Sequence, residues 1–242
     1  YIAESLSDTF DVITAGEGEE GCTAAFINIP DVIVSDIMMP GMDGITFCKR
    51  VKEDVRTSHI PLILLTAKGS LQDKEEGYVS GADSYLTKPF SATLLRSRID
   101  NLLENRKKLA EQFKLNLKLD SKSVLLNKSL NQLDSEFIAN VTQLIEDNME
   151  QEKIDVGFLS DALSMSSSTL YRKIKALTGV STNEFIRKVR MSRAEQLLLT
   201  GKFTVSEVGY QVGMSSPVYF RQCFKEEFGM APSDYIRKIK AE

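Results

Sequence analysis

Cysteine and histidine are scarce in this chain of 242 residues. The three cysteines, Cys22, Cys48 and Cys223, are odd in number and far apart. They support neither a disulfide framework nor a zinc cluster, and a reducing cytoplasm is the expected setting. The single histidine, His59, stands in a polar turn before Pro61 and reads as a surface residue; no phosphotransfer histidine motif is present. Long apolar runs are missing too. None approaches the ~20 residues that a membrane span needs, and no signal peptide is visible.

What is present is globular: 42% apolar and 26% charged residues, enough for one large domain or two ordinary ones. The net charge is only −4 but unevenly spread. Residues 1–105 carry 17 acids against 9 bases, residues 106–135 carry 3 against 7, and residues 153–240 carry 8 against 14. An acidic front and a basic back fit a back half that meets polyanions.

The stretch from Asp31 to Gly44, DVIVSDIMMPGMDG, organises the front half. Val32, Ile33 and Val34 read as a strand buried on both faces, the kind that belongs to parallel sheets, where function gathers at the carboxyl end. Pro40-Gly41 and Asp43-Gly44 are turn signals that stop this strand and leave Asp36 at the rim. Around it, periodicity predicts strands at Phe10 to Ala15, Pro61 to Ala67 and Ser84 to Lys88. Helices are predicted at Glu19 to Ile29, Gly44 to Asp54 and Leu71 to Ser80, with a helix tail at Tyr1 to Leu6. That alternation specifies a parallel, right-handed α/β sheet with short loops. Asp36, Thr66 and Lys88 each close a strand, so their rims converge. A carboxylate, a hydroxyl and an ammonium around one point suit phosphoryl transfer, the carboxylate as nucleophile and the others as partners of phosphoryl oxygens. A magnesium ion (Mg2+) would offset the crowded negative charge.

In order and context, SDIMMPGMDG around Asp36, LLTA around Thr66 and YLTKPF around Lys88 resemble the receiver domain of two-component response regulators. The resemblance implies a flavodoxin-like, doubly wound sheet in which Asp36 accepts phosphate from a phosphohistidine. It implies magnesium on Asp36 and on the backbone carbonyl of Met38, phosphoryl binding by Thr66 and Lys88, and an aromatic switch at Tyr85. A cis Lys88-Pro89 bond is expected. The family's first strand, with the acidic pair that holds the metal, is expected upstream of Tyr1, so residues 1–103 read as an incomplete receiver from a longer parent. A haloacid dehalogenase type phosphatase is disfavoured, because its second aspartate would stand where Met38 is.

Ser91 to Phe113 reads as one helix with Leu95, Ile99, Leu102, Arg106, Leu109 and Phe113 at threes and fours. That is a heptad seam open to dimerisation or a last receiver helix packed on its own sheet. Residues 104–134 are read as helical extension and linker. The rest, 135–242, is all helical. Phe137, Val141, Leu144, Ile145 and Met149 form a stripe. Short helices at Phe158 to Leu163 and Val205 to Val212 each precede a turn and a second helix, Ser167 to Leu177 and Ser216 to Phe228, with a long helix at Thr182 to Leu199 between. Each pair is a candidate helix-turn-helix unit.

This tandem resembles the DNA-binding domain of AraC family regulators, through LYRKIKALTG ending at Gly179, RMSRAEQLLL from Arg190 to Leu199, YFRQCFKEEFG ending at Gly229, and Pro232 with Tyr235. Gly209 and Met214 depart from the family's usual alanine and phenylalanine. Leu170, Ile174, Phe220 and Phe224 are assigned to core. The opposite faces offer Ser167, Ser168, Thr169, Tyr171, Arg172 and Lys175, then Ser216, Pro217, Val218, Tyr219, Arg221, Gln222 and Lys225. Arg172 and Arg221 suit guanine edges, Gln222 adenine, Lys175 and Lys225 phosphates. The two recognition helices are expected in successive major grooves, ~34 Å apart. The expected protein is a non-enzymatic, phosphorylation-regulated transcription regulator that binds double-stranded DNA. Its expected partners are a histidine kinase as phosphate donor, a second copy of itself and RNA polymerase, and its parent would be a hybrid histidine kinase. The alternative is a receiver that is never phosphorylated and serves as a dimerisation scaffold.

Overall fold

The computed structural model describes residues 2–67, 81–116, 130–150 and 154–241. The contacts divide the chain into two units, Tyr1–Lys108 and Leu109–Glu242. In the first, the determining strand is β2 (Leu62–Thr66), buried throughout. It lies between β1 (Ile33–Asp36) and β3 (Ser84–Thr87), with both ladders parallel. Successive strand residues face opposite sides of a sheet. Leu62 and Leu64 therefore enter a core with Cys22, Phe47, Cys48 and Val51 of α2 (Gly18–Asn28) and α3 (Gly44–Glu53). Ile63 and Leu65 enter another with Leu6 of α1 (Ile2–Ser7) and Leu95 and Ile99 of α4 (Ala92–Asn116). A sheet covered on both faces by its own crossover helices is a doubly wound α/β arrangement.

Several expectations are corrected. Phe10 to Ala15 forms no ladder. Phe10 and Val12 do pack against the α1 and α4 core, so the alternation is real. A strand also needs a partner, and none pairs there among the described residues. Val32, Ile33 and Val34 are only half-buried, because among the described residues β1 is laddered to β2 alone. His59 is 8% exposed, not a surface residue. Its turn folds back on the sheet's lower end, pinned by Lys52 Nζ donating to the Ile60 carbonyl and Thr57 Oγ1 to that of Val51. The helix expected at Leu71 to Ser80 lies outside the described residues, as does most of the linker. Of the α4 seam, Leu95 and Ile99 are buried in the sheet core and Phe113 in the core of the second unit, while Leu102, Arg106 and Leu109 are half-buried. No helix among the described residues is long and apolar enough to cross a membrane.

The second unit is helical: α5 (Gln132–Asp147), α6 (Val156–Ala162), α7 (Ser167–Thr178), α8 (Thr182–Leu199), α9 (Val205–Gln211), α10 (Pro217–Phe228) and α11 (Pro232–Ala241). Local chemistry sets these boundaries. Ser166, Ser181, Thr204 and Ser216 cap the N-termini of α7 to α10, Thr204 with Glu207 as a full capping box, and Gly179 and Gly229 close α7 and α10 with positive φ. Leu170, Ile174, Phe220 and Phe224 are buried with Val141, Ile145, Phe185 and Met191 in one core. Each such side chain contributes roughly 1.5–3 kcal/mol by leaving water.

One polar pair lies inside this core. Lys173 of α7 is fully buried and donates to Asp134 Oδ1 at 2.5 Å, its ammonium 4.9 Å above the Phe137 ring. Asp134 also takes a hydrogen bond from the Asn131 amide, while its own N–H donates to Asn131 Oδ1, the N-cap of α5. Removing one partner of such a pair strands the other charge. Asp134→Ala is expected to lower the unfolding free energy by about 3–5 kcal/mol in a urea titration, and the paired replacement K173M/D134L to recover most of that loss.

Candidate functional site

Strand register builds the first half of the site. Asp36 ends β1 opposite Leu65, Thr66 ends β2 opposite Thr87, and Lys88 follows β3, its N–H donating to the Thr66 carbonyl at 2.8 Å. This brings the Lys88 ammonium onto Asp36 Oδ2 as an ion pair, while the Met38 N–H donates to Asp36 Oδ1 at 3.3 Å. Both charged side chains remain more than a third exposed, so the pair is open to an incoming anion. Thr66 is buried, its hydroxyl donating to the Ala67 carbonyl at 3.2 Å. Tyr85 lies within β3, half-buried on the α2 and α3 side. The Lys88-Pro89 bond is cis, as expected.

The loop after Asp36 is closed by Gly44, the first residue of α3, whose N–H donates to the Ile37 carbonyl at 2.9 Å. A Cβ on Gly44 would stand 2.0 Å from the Asp36 carbonyl oxygen, so only glycine lets the helix start against the end of β1. For magnesium, the described residues offer one carboxylate, already paired with Lys88, and the Met38 carbonyl. Magnesium demands about six oxygens in near-octahedral array. Among the described residues no group of three His, Cys, Asp or Glu could hold a metal. These residues do not by themselves fit the ion.

The second half of the site is the outward face of α7 and α10. Ser167, Ser168, Tyr171, Arg172, Lys175, Ser216, Val218, Tyr219, Arg221, Gln222 and Lys225 are exposed, and Pro217 half-buried. Thr169 is the exception, at 7% exposed. It stands one turn before Lys173 on the inward side, and its hydroxyl is 2.9 Å from the capping Ser166 hydroxyl, so it is withdrawn from the presented face. Lys175 donates to the Tyr171 hydroxyl at 3.2 Å, and Gln222 to Glu226 at 3.0 Å. Val218, 74% exposed at the start of α10, is an apolar group offered to whatever the helix meets. Cys223, buried beside Tyr219, raises the Tyr219 phenol's pKa chiefly through a hydrogen bond.

The residues that hold these helices were not anticipated. Lys188 of α8 donates to both oxygens of Glu227 at 2.8 and 2.9 Å, and Arg187 to Glu226 at 3.3 Å. Tyr235 of α11 donates to Glu195 of α8. Lys173 had a visible signal: it stands three after Leu170 and four before Leu177, inside the apolar stripe. Lys188 and Glu227 had none, being 39 residues apart in sequence.

With this geometry in place, the comparisons identify the two units. The model of the response regulator receiver domain matches residues 2–100, and that of a helix-turn-helix domain matches residues 159–238. The chain carries a response regulator receiver domain followed by an AraC-type helix-turn-helix domain. Histidine kinase P4 of Formosa agariphila is 41% identical across the whole chain, which spans 17% of that protein. The transcriptional regulator RpaA of Synechocystis is 42% identical over 43% of the chain and 44% of its own length. Among solved structures, the receiver domain of a signal transduction histidine kinase from Syntrophus aciditrophicus is 30% identical, covering 43% of this chain and 80% of that one, with a TM-score of 0.41.

Two outcomes follow. Gly44→Ala is expected to push the Asp36 backbone aside and cost about 1–3 kcal/mol, read as a lower urea midpoint. Burial, with help from Glu195, pushes the Tyr235 phenol up to about 12, against about 10 when unfolded. The folded state therefore keeps a proton that the unfolded chain releases. This contribution is fully present below pH ~10 and is lost as pH rises toward 12. Stability measured against pH should fall more steeply across that window in the native protein than in Tyr235→Phe.

Proposed function

We propose that this chain is a phosphorylation-controlled, sequence-specific transcription regulator. The observation that carries the reading is the convergence of the Asp36 carboxylate and the Lys88 ammonium at the carboxyl rim of a parallel sheet, in a chain that continues into two helix-turn-helix units. Asp36 attacks the phosphorus of a phosphohistidine on a histidine kinase. The N–P bond breaks, the imidazole keeps its electron pair, and an acyl phosphate forms on Asp36. The Lys88 ammonium passes from the carboxylate to a phosphoryl oxygen, and the Thr66 hydroxyl, by leaving the Ala67 carbonyl, supplies a second donor. Tyr85, on the same strand as the Lys88 loop, is the group whose packing follows that change.

The exposed faces of α7 and α10 supply the DNA-reading groups: Arg172 and Arg221 for guanine, Gln222 for adenine, Lys175 and Lys225 for phosphates. A shift from mostly inactive to mostly active needs about 5.5 kcal/mol of differential stability, more than one ion-pair exchange supplies in exposed surroundings. Association of two copies on DNA is the further source. The setting is cytoplasmic, and RNA polymerase is the partner on promoter DNA.

The test treats the full-length protein with a small phosphodonor and compares it with Asp36→Asn and with Arg172→Ala/Arg221→Ala. Native protein should gain one acid-labile phosphate by mass and bind duplex more tightly. The Asn variant should do neither. The double Arg variant should take phosphate normally but lose about 1–3 kcal/mol of discrimination for each guanine contact removed. Native protein that takes no phosphate from the donor, yet binds DNA as tightly as the Asn variant, would mean that the receiver is a scaffold.

A further inference from the structure

Residues 117–129 join α4 to α5, and the segments on both sides of them seat on the first recognition helix. Before the join, Phe113 is buried in the second unit's core, and the Ala110 carbonyl oxygen lies 3.4 Å from where a Cβ on Gly179, the C-cap of α7, would stand. After it, Asn131 and Asp134 form the first turn of α5, and Asp134 carries the buried Lys173 of α7. A pair with both partners enclosed cannot exchange them for water without a large penalty, so α7 moves with that turn.

The second recognition helix is held otherwise. Glu226 and Glu227 bind Arg187 and Lys188 of α8, and Phe224 and Phe228 stack with Tyr235 at 5.5 and 5.2 Å. These holds all lie beyond Thr182, on α8 and α11, although α8 also packs on α5 and α7 in the shared core. The far end of α5 does approach the second unit's turn, where Met149 O would meet a Cβ on Gly213. Thirteen helical positions, about 20 Å, separate Asp134 from that end at Asp147.

We infer that regulatory input reaches the DNA-binding domain through α7: displacement of the segments flanking 117–129 re-aims the first recognition helix, while α10 remains a constant reader. This rests on the proposed role of Asp36. The test is hydrogen exchange by mass spectrometry on the full-length protein, with and without acetyl phosphate. Amide exchange in Ser167–Thr178 should change about tenfold, the effect of a 1.4 kcal/mol shift in local opening, while Pro217–Phe228 stays constant. K173M/D134L, which removes both charges, should take phosphate yet lose the α7 response. Equal changes in both helices, or a constant α7 in native protein that carries phosphate and binds DNA more tightly, overturns this inference alone. Native protein that takes no phosphate overturns it together with the proposed function.

Discussion

The first unit depends on one constraint, the burial of β2 on both faces. Five consecutive apolar or hydroxylated side chains with no solvent face cannot form a surface strand, and alternation splits them between two cores. Helices must then cover both sides, which forces parallel strands joined by crossovers. Parallel strands end together, and that alone places Asp36, Thr66 and Lys88 at one rim. The ion pair between Asp36 and Lys88 is thus a product of packing several residues away. Gly44 completes the arrangement from the helical side, since α3 can begin against the end of β1 only where no Cβ intervenes.

In the second unit the corresponding constraint is charge placed inside helix contacts. Lys173, Lys188 and Arg190 are all buried or nearly so, and burial lowers the Arg190 pKa from its usual value. Such groups fix helix orientation because their partners must be met in one geometry, whereas apolar contacts tolerate sliding. Gly209 adds a shape constraint to the second unit: a Cβ there would stand 3.3 Å from the Phe220 ring. Glycine costs α9 about 1 kcal/mol of helix propensity relative to alanine, and the close approach of Phe220 gives a packing reason for it at this departure from the family pattern.

The sequence made legible whatever depends on local periodicity or spacing. The β2 run, the capped helices, the core positions Leu170, Ile174, Phe220 and Phe224, and the rim triad could be read that way. Phe10 to Ala15 was misread because a strand is completed by a partner that periodicity cannot supply. His59 was misread because polarity of a turn says nothing about whether the turn folds inward. Thr169 was placed on the wrong face because residues at the first turn of a helix lie near the stripe boundary, where one cap contact decides the side. The Lys188–Glu227 pair was invisible since nothing local in either residue demands the other.

Charge on the recognition helices explains how a chain of net charge −4 can present a face suited to a polyanion. Helix α7 contains no acid at all, and the two acids of α10, Glu226 and Glu227, are turned to Arg187 and Lys188 of α8. Glu227 is neutralised at the helix's inner edge, and Glu226, exposed and also accepting from Gln222, is offset in part by Arg187, so Arg221 and Lys225 outweigh it outside, as Arg172 and Lys175 do on α7. Most of the chain's excess acid lies in residues 1–105. At physiological ionic strength an exposed charge is screened beyond about 8 Å, so the local balance on each helix, rather than the total, governs the encounter with phosphate. The same basic residues of α8 that hold α10 in place therefore also offset its two acids, fully at Glu227 and in part at Glu226.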